Sequence, residues 1–237
     1  ITKVTGVFPQ GVKDIYEIVF GDGCSTRCTL DHLWEVQRFK NPCVDKNAFK
    51  VVTTQDLLNH SKINNSSCQL GDRPRVRLTK PVSFKAKKVI LSPYLLGVLI
   101  GDGKLDDHGS IMFSSVDKHI LNQVKSLLPK GMSIKHISRC DYRITFGDKP
   151  IRGTNKLRGE LKNLELMGKR SHEKFIPDYY KYNSKEVRLK MIQGLFDTDG
   201  GVSAVGDVTF STTSLQLAHD VVEVIQSLGG LCTIKTR

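Results

Sequence analysis

No run in this 237-residue chain is long and apolar enough to span a bilayer, which excludes a transmembrane helix. The opening residues, ITKVTGVFPQGVK, hold no continuous apolar stretch and do not read as a signal peptide. The six cysteines (Cys24, Cys28, Cys43, Cys68, Cys140 and Cys232) form no CxxC pair, and Cys24 and Cys28 lack a second half with which to build a zinc site. Their scatter fits reduced thiols in an intracellular, cytoplasmic protein. Acidic residues are scarce: 24 Asp and Glu stand against 36 Lys and Arg, a net charge of +12. Such an excess points to a polyanionic partner, most often nucleic acid. The positive charge is spread along the chain, with clusters at Arg73–Lys88 and Lys169–Lys174 and no disordered basic tail.

What is present is enough for a core: 39% of residues are hydrophobic, and the length suits one large domain or two small ones. The chain to about Lys88 reads as β. DIYEIVFGDGCSTRCTLDHLWEV alternates apolar and polar residues around Gly21-Asp22-Gly23, a hairpin signal. TTQDLLNH reads as a short helix capped by Thr53 or Thr54. Asn64–Ser67 reads as a loop, and RPRVRLTKPVSF as an edge strand bounded by Pro74 and Pro81. At Ser92-Pro93 the character changes, with Pro93 suited to the first turn of a helix over Tyr94–Ile100.

From there the chain repeats itself. LLGVLIGDG at 95–103 returns as IQGLFDTDG at 192–200, and one constant offset carries Asp102 onto Asp199. The same offset carries Ile111 and Phe113 onto Val208 and Phe210, Ser114 onto Ser211, and Ile120 and Val124 onto Leu217 and Val221. Two homologous halves packed as an internal pseudo-dimer follow.

Each repeated helix breaks local rules. Glycine inside a helix costs roughly 1 kcal/mol relative to alanine, and an aspartate at a helix C-terminus faces the negative end of the dipole. A pseudo-two-fold helix pair accounts for both. Gly97 and Gly101 lie one turn apart, as do Gly194 and Thr198, so small residues let the two backbones approach closely. Asp102 and Asp199 are then brought together, and two crowded carboxylates call for a cation. Mg²⁺ suits hard oxygen ligands, with Mn²⁺ as a substitute, and such an ion beside a polyanion suits phosphodiester hydrolysis. Gly21-Asp22-Gly23 and Gly147-Asp148, each unrepeated, read as plain turns. DTDGG lacks the later ligands of a calcium loop.

These residues carry a family resemblance. LLGVLIGDG and IQGLFDTDG resemble the paired LAGLIDADG motifs of homing endonucleases, and EKFIPDYYKYNSKEVRLKMIQGLFDTDGGV is similar to the stretch around the second motif in endonucleases lodged in inteins. The resemblance covers Ser92 to Arg237. It implies an αββαββα half used twice, a β-saddle over the DNA major groove, and Asp102 and Asp199 as metal ligands. It also implies Lys174 as an active-site lysine that polarises the hydrolytic water or neutralises developing charge. One departure is Ile100, which stands where Asp197 keeps the motif's first aspartate.

On the strands, Tyr142, Ile144 and Phe146 form the apolar face of DYRITF, so Asp141, Arg143 and Thr145 point the other way. The same alternation exposes Ser110, Met112 and Ser114, and in the second copy Asp207, Thr209 and Ser211. Lys135 and Arg139 are expected on the neighbouring strand. Arg and Lys pair with guanine in the major groove.

KVTGVFPQGVKDIYEIVFGDGCSTRCTLDHLWEV resembles the Hint (intein-splicing) fold, with Thr29-Leu30-Asp31-His32 matching its TxxH block. The resemblance implies that His32, with Thr29, assists an N-to-S or N-to-O acyl shift. The expected terminal Cys or Ser and the closing His-Asn are not in the chain, which begins at Ile1 and ends at Arg237, so the chain reads as an internal intein fragment that does not splice alone. The second-copy counterpart of Lys174 falls beyond Arg237, which puts cutting by the fragment alone in doubt.

The expectations are therefore an α+β protein with a mostly-β Hint-type segment at 1–91 and a LAGLIDADG endonuclease at 92–237, its second half incomplete. The chain is expected to act as a monomer on double-stranded DNA, joined to host exteins in the precursor. The alternative is a non-catalytic nucleic-acid binder of the maturase or regulator kind, against which the retention of both Asp102 and Asp199 argues.

Overall fold

Apolar alternation on either side of a Gly-Asp-Gly corner forms the first hairpin. β1 (Tyr16–Val19) pairs antiparallel with β2 (Ser25–Cys28), and Gly23 takes the positive φ that closes the turn. The computed structural model describes residues 3–37, 49–63, 74–107, 109–146 and 156–236, with only the backbone course at 60–63. Cys43, Cys68, the Asn64–Ser67 loop and Gly147-Asp148 lie outside them. The chain is α+β and divides into two compact units, Ile1–Thr79 and Lys80–Arg237. No helix among the described residues is long and apolar enough to cross a membrane.

In the first unit β3 (Leu33–Gln37) lies between β4 (Phe49–Thr53) and a short β5 (Arg75–Val76), both antiparallel to it. α1 (Thr54–Ile63) follows β4 directly. Thr53 caps it reciprocally: the Asp56 amide donates to Thr53 Oγ1 at 3.1 Å and the Thr53 amide donates to Asp56 at 3.0 Å. Cys28, Trp34, Val36 and Val52 form a small core. The strand expected over RPRVRLTKPVSF shrinks to Arg75 and Val76. Its alternating side chains find no face to bury, since Leu78 and Val82 stay exposed, and Pro81 has no N–H to donate to a ladder.

The second unit begins earlier than the expected boundary after Leu91. Residues 80–91 form an irregular strap held by groups remote in sequence. The Val82 amide donates to Ser227 O (2.8 Å), the Lys87 amide to Asn183 Oδ1 (3.0 Å), and the Tyr180 hydroxyl to Leu91 O (3.0 Å). The buried Arg188 donates from its guanidinium to the carbonyls of Val82, Asn183 and Ser227. Such side-chain anchoring leaves no periodic signature.

After the strap come α2 (Pro93–Gly101), β6 (Gly103–Lys104), β7 (Met112–Ser114), α3 (Lys118–Leu127), β8 (Met132–Ser138), β9 (Asp141–Phe146) and α4 (Lys156–Asn163). This is helix, two strands, helix, two strands, helix. A 3-10 turn (Ser171–Glu173) and α5 (Asp178–Lys181) lead to α6 (Lys185–Asp199), β10 (Gly200–Val202), β11 (Val208–Phe210) and α7 (Leu215–Ser227), which repeat the first four steps. β6, β7, β9 and β8 form one antiparallel sheet in that order, and β10 pairs with β11.

α2 is apolar all round because it is enclosed all round: Tyr94 through Ile100 are buried. It packs on α6 at glycine. A Cβ placed on Gly97 would lie 2.4 Å from Met191 O, and one on Gly194 would lie 2.2 Å from Tyr94 O. The core spreads from this contact through Phe113, Ile120, Val124, Ile144, Leu157, Leu161, Leu195 and Leu217.

Candidate active site

The close approach of α2 and α6 decides where their C-terminal aspartates lie. Asp102 is the C-cap of α2, its amide donating to Val98 O at 3.0 Å. Asp199 is the last residue of α6. Beside them, a Cβ on Gly101 would meet Thr198 Oγ1 at 2.0 Å and the Asp199 carboxylate at 3.2 Å. Gly101 therefore leaves the space in which Asp199 sits, one residue from Asp102. Thr198 turns its hydroxyl back onto Leu195 O of its own helix at 2.8 Å. Gly97, Gly101, Gly194 and Thr198 thus all lie at the helix contact.

Loss of hydration raises both carboxyl pKa values, and the negative charge of Asp102 raises that of Asp199 further. Lys174 opposes this. It is buried, at 4% exposure, and its Nζ donates to Gly101 O and Gly103 O, each at 2.8 Å. Burial pulls its ammonium down to about 8, against the pull of Asp199 and Asp102. The three ionisable groups act on one another across the tip of the helix pair.

A hard divalent cation fits this donor set. Asp102 is exposed and Asp199 half-buried, and the charge of the first raises the pKa of the second, so a cation between them would relieve the repulsion. Among the described residues no group of three or more His, Cys, Asp or Glu stands together, so the candidate protein ligands are the two aspartates.

Asp197 does something different. It accepts from the Tyr94 hydroxyl at 2.5 Å, and burial together with that carboxylate pushes the phenol up. Its counterpart Ile100 is wholly buried.

The four-stranded sheet carries a row of basic side chains. Lys104 pairs with Met112, Met112 with Arg143, and Arg143 with Lys135, so all four share one face in one cross-strand line. The opposite face carries Phe113 stacked on Tyr142, with the buried Ile144. Lys104 was not anticipated. It lies just past the Gly-Asp-Gly corner, and only the pairing register aligns it with Arg143. It also pairs with Asp106 at 3.2 Å. Thr145 shares a hydroxyl contact with Ser133 at 3.1 Å, and Ser114 donates to Asp141 at 2.6 Å.

Three expected strand positions fall elsewhere. Arg139 sits in the β8–β9 turn with φ +45°, because a register shift after His136 ends the strand at Ser138. Ser110 precedes β7 and is half-buried rather than exposed. Ser211 follows β11, its amide donating to Asp199 O at 3.1 Å. Thr209 is exposed on β11, opposite Gly201.

In the first unit Thr29 and His32 share one turn, the His32 amide donating to Thr29 O at 3.2 Å. The Thr29 hydroxyl donates to Asp31 and not to His32. Asp31 also meets Lys13 at 2.9 Å. These two contacts, the hydroxyl first, hold the Asp31 carboxyl down at about 2. The His32 ring lies against Trp34, with centroids 4.9 Å apart.

Residues 186–237 match the LAGLIDADG-like domain family. The chain is also similar to proteins named replicative DNA helicase DnaB. It is 26% identical to that of Mycobacterium intracellulare, over 95% of this chain and 36% of the relative, and 25% identical to that of Rhodothermus marinus, over 99% and 24%. A probable translation initiation factor IF-2 of Methanocaldococcus jannaschii is 30% identical over 67% of this chain and 13% of that protein. The chain thus spans little more than a third, at most, of these curated relatives. The LAGLIDADG match belongs to homing endonucleases and related nucleic-acid-binding proteins.

Proposed function

We propose that the second unit is a two-motif LAGLIDADG homing endonuclease that makes Mg²⁺-dependent double-strand cuts in a long DNA site, and that the first unit is part of an intein's Hint splicing domain. The observation that carries the nuclease reading is the meeting of Asp102, Asp199 and the buried Lys174 amine at the tip of the α2–α6 pair. Asp102 and Asp199 would hold the ion, which when bound activates water and steadies the leaving oxygen. Lys174 keeps its amine fixed by two carbonyls and offsets negative charge developing on the scissile phosphate. Lys104, Arg143 and Lys135 lie along the backbone or the guanine edges of the major groove.

Similarity over only part of their length to proteins named for such different activities, a replicative DNA helicase and a probable translation initiation factor, supports an inserted element. In that setting Thr29 and His32 serve the first acyl shift, and the exteins are the host's own flanks.

The test uses the intact precursor and a supercoiled plasmid carrying the uninterrupted host-gene junction, a dnaB junction first. Linear product with Mg²⁺ or Mn²⁺ and none with EDTA is expected, with Asp102→Asn and Asp199→Asn inactive. Tight metal-independent binding without cutting would instead make the protein a non-catalytic nucleic-acid binder. Separately, His32→Ala is expected to stop release of joined exteins.

A further inference from the structure

The side chain of Lys174 reaches the end of α2, but its main chain is held by another helix. Residues 174–176 lie in no helix or strand, so no ladder fixes them. α7 fixes them instead. Ser214 Oγ donates to Lys174 O at 2.7 Å, and Asp220 Oδ2 accepts from the Ile176 amide at 2.8 Å. The two contacts clamp the chain on either side of Phe175.

Both residues are 1% exposed. Ser214 also caps α7, accepting from the Leu217 amide at 3.1 Å. Asp220 is harder to explain as a helix builder. It is a buried carboxylate on the same helix as Leu217, Val221 and Val224, and needs compensation from Lys181 Nζ (2.8 Å) and Gln216 (3.0 Å). Buried ion pairs of this kind are weak sources of stability, and apolar replacements often serve as well. The internal repeat provides a comparison. The counterpart of Ser214 is Asp117, which likewise caps its helix, whereas the counterpart of Asp220 is Gln123, an exposed residue. A helix of this repeat therefore folds without the acid, and the acid occurs in the half that faces Lys174.

We propose that Asp220 and Ser214 are positioning residues for Lys174, setting its amine against Gly101 O and Gly103 O from the main-chain side. The inference rests on the reading of Lys174 as the active-site lysine. Lys174 is buried and its Nζ is held 2.8 Å from two carbonyls at once, so a main-chain displacement that the enclosed side chain has no room to absorb carries Nζ out of hydrogen-bond range, where contacts cease by about 3.6 Å.

The experiment compares the intact protein with its Asp220→Asn, Ser214→Ala and Leu161→Ala forms. An asparagine cannot serve the Ile176 amide and the Lys181 ammonium as Asp220 does. The first readout is acetylation of Lys174 by an N-hydroxysuccinimide ester on the native protein, followed by peptide mass spectrometry. The second is the single-turnover cleavage rate beside DNA affinity. In Asp220→Asn and Ser214→Ala, acetylation of Lys174 rises several-fold and cleavage falls by up to about 100-fold with DNA affinity unchanged. Leu161→Ala removes core volume on α4 but neither main-chain contact of residues 174–176, and in the folded protein it moves neither readout. Native-level protection of Lys174 in folded Asp220→Asn and Ser214→Ala overturns the proposal. Should Asp220→Asn fail to fold, Ser214→Ala decides by the same readouts. Should the unaltered protein not cut DNA, acetylation alone decides the positioning claim, and the missing cleavage counts against the endonuclease reading.

Discussion

Gly97 and Gly194 face each other across the α2–α6 contact so closely that a Cβ on Gly97 would lie 3.0 Å from Gly194 Cα and 2.4 Å from Met191 O. The neighbouring atoms are backbone, which cannot swing aside. Gly97→Ala should therefore destabilise the second unit by roughly 1–3 kcal/mol despite its better helix propensity. Gly159 on α4 has nothing within 4 Å of its added Cβ, so Gly159→Ala should gain roughly 0.5–1 kcal/mol. Denaturant midpoints of the two variants, moving in opposite directions, check this.

The crowded carboxylates predict a conflict between stability and function. A carboxyl whose folded pKa is raised binds protons more readily in the folded state, so its ionisation costs stability once pH rises past the carboxylate range. Asp102 raises Asp199. Asp102→Asn should then raise the metal-free urea midpoint at neutral pH, and the gain should vanish in acid, where both groups are protonated. The same substitution should abolish Mg²⁺-dependent cutting.

The cross-strand row Lys104, Arg143 and Lys135 predicts separable DNA effects. Where a side chain reads a base, its alanine variant should lose about 1–3 kcal/mol at one base pair and leave other sequences unaffected. Where it meets a phosphate, binding should weaken for every sequence and the salt slope should fall by about 1. Binding isotherms over a salt series sort the three residues.

Asp31 gives a prediction for the first unit. Its carboxyl is held at about 2 by the Thr29 hydroxyl and Lys13, against an ordinary 3.8. The contribution is present above the ordinary value and is lost as pH falls through about 2. An NMR titration should show that midpoint, and Thr29→Ala or Lys13→Ala should return it toward the ordinary carboxylate range.

The paired motifs were legible because duplication leaves a periodic trace: two glycine-bearing apolar helices at one offset dictate a close contact and place their terminal aspartates. The hairpin at Gly21-Asp22-Gly23 and the Thr53 cap were legible for local reasons, a turn sequence and a capping side chain. The strap over residues 80–91 was not, because its partners Asn183, Arg188 and Ser227 lie 96 or more positions away and it has no period. Arg139 was misplaced because a bulge is a property of two paired strands, invisible in either alone. Lys104 and Asp220 escaped for the same reason: each acquires its significance from register or packing against a distant segment.

The Tyr94–Asp197 hydrogen bond occurs in one orientation only. The duplicated positions that would mirror it hold Met191 and Ile100, both shut away from solvent. Two copies of the first half, mated to each other, would set each phenol against an isoleucine with no acceptor to meet it. Two copies of the second half would seat an aspartate against methionine sulfur and carbon. Both mismatched unions lose this hydrogen bond, and in the first the largely buried Tyr94 loses the acceptor of its hydroxyl. One broken symmetry thus tilts the pairing toward unlike halves within a single chain.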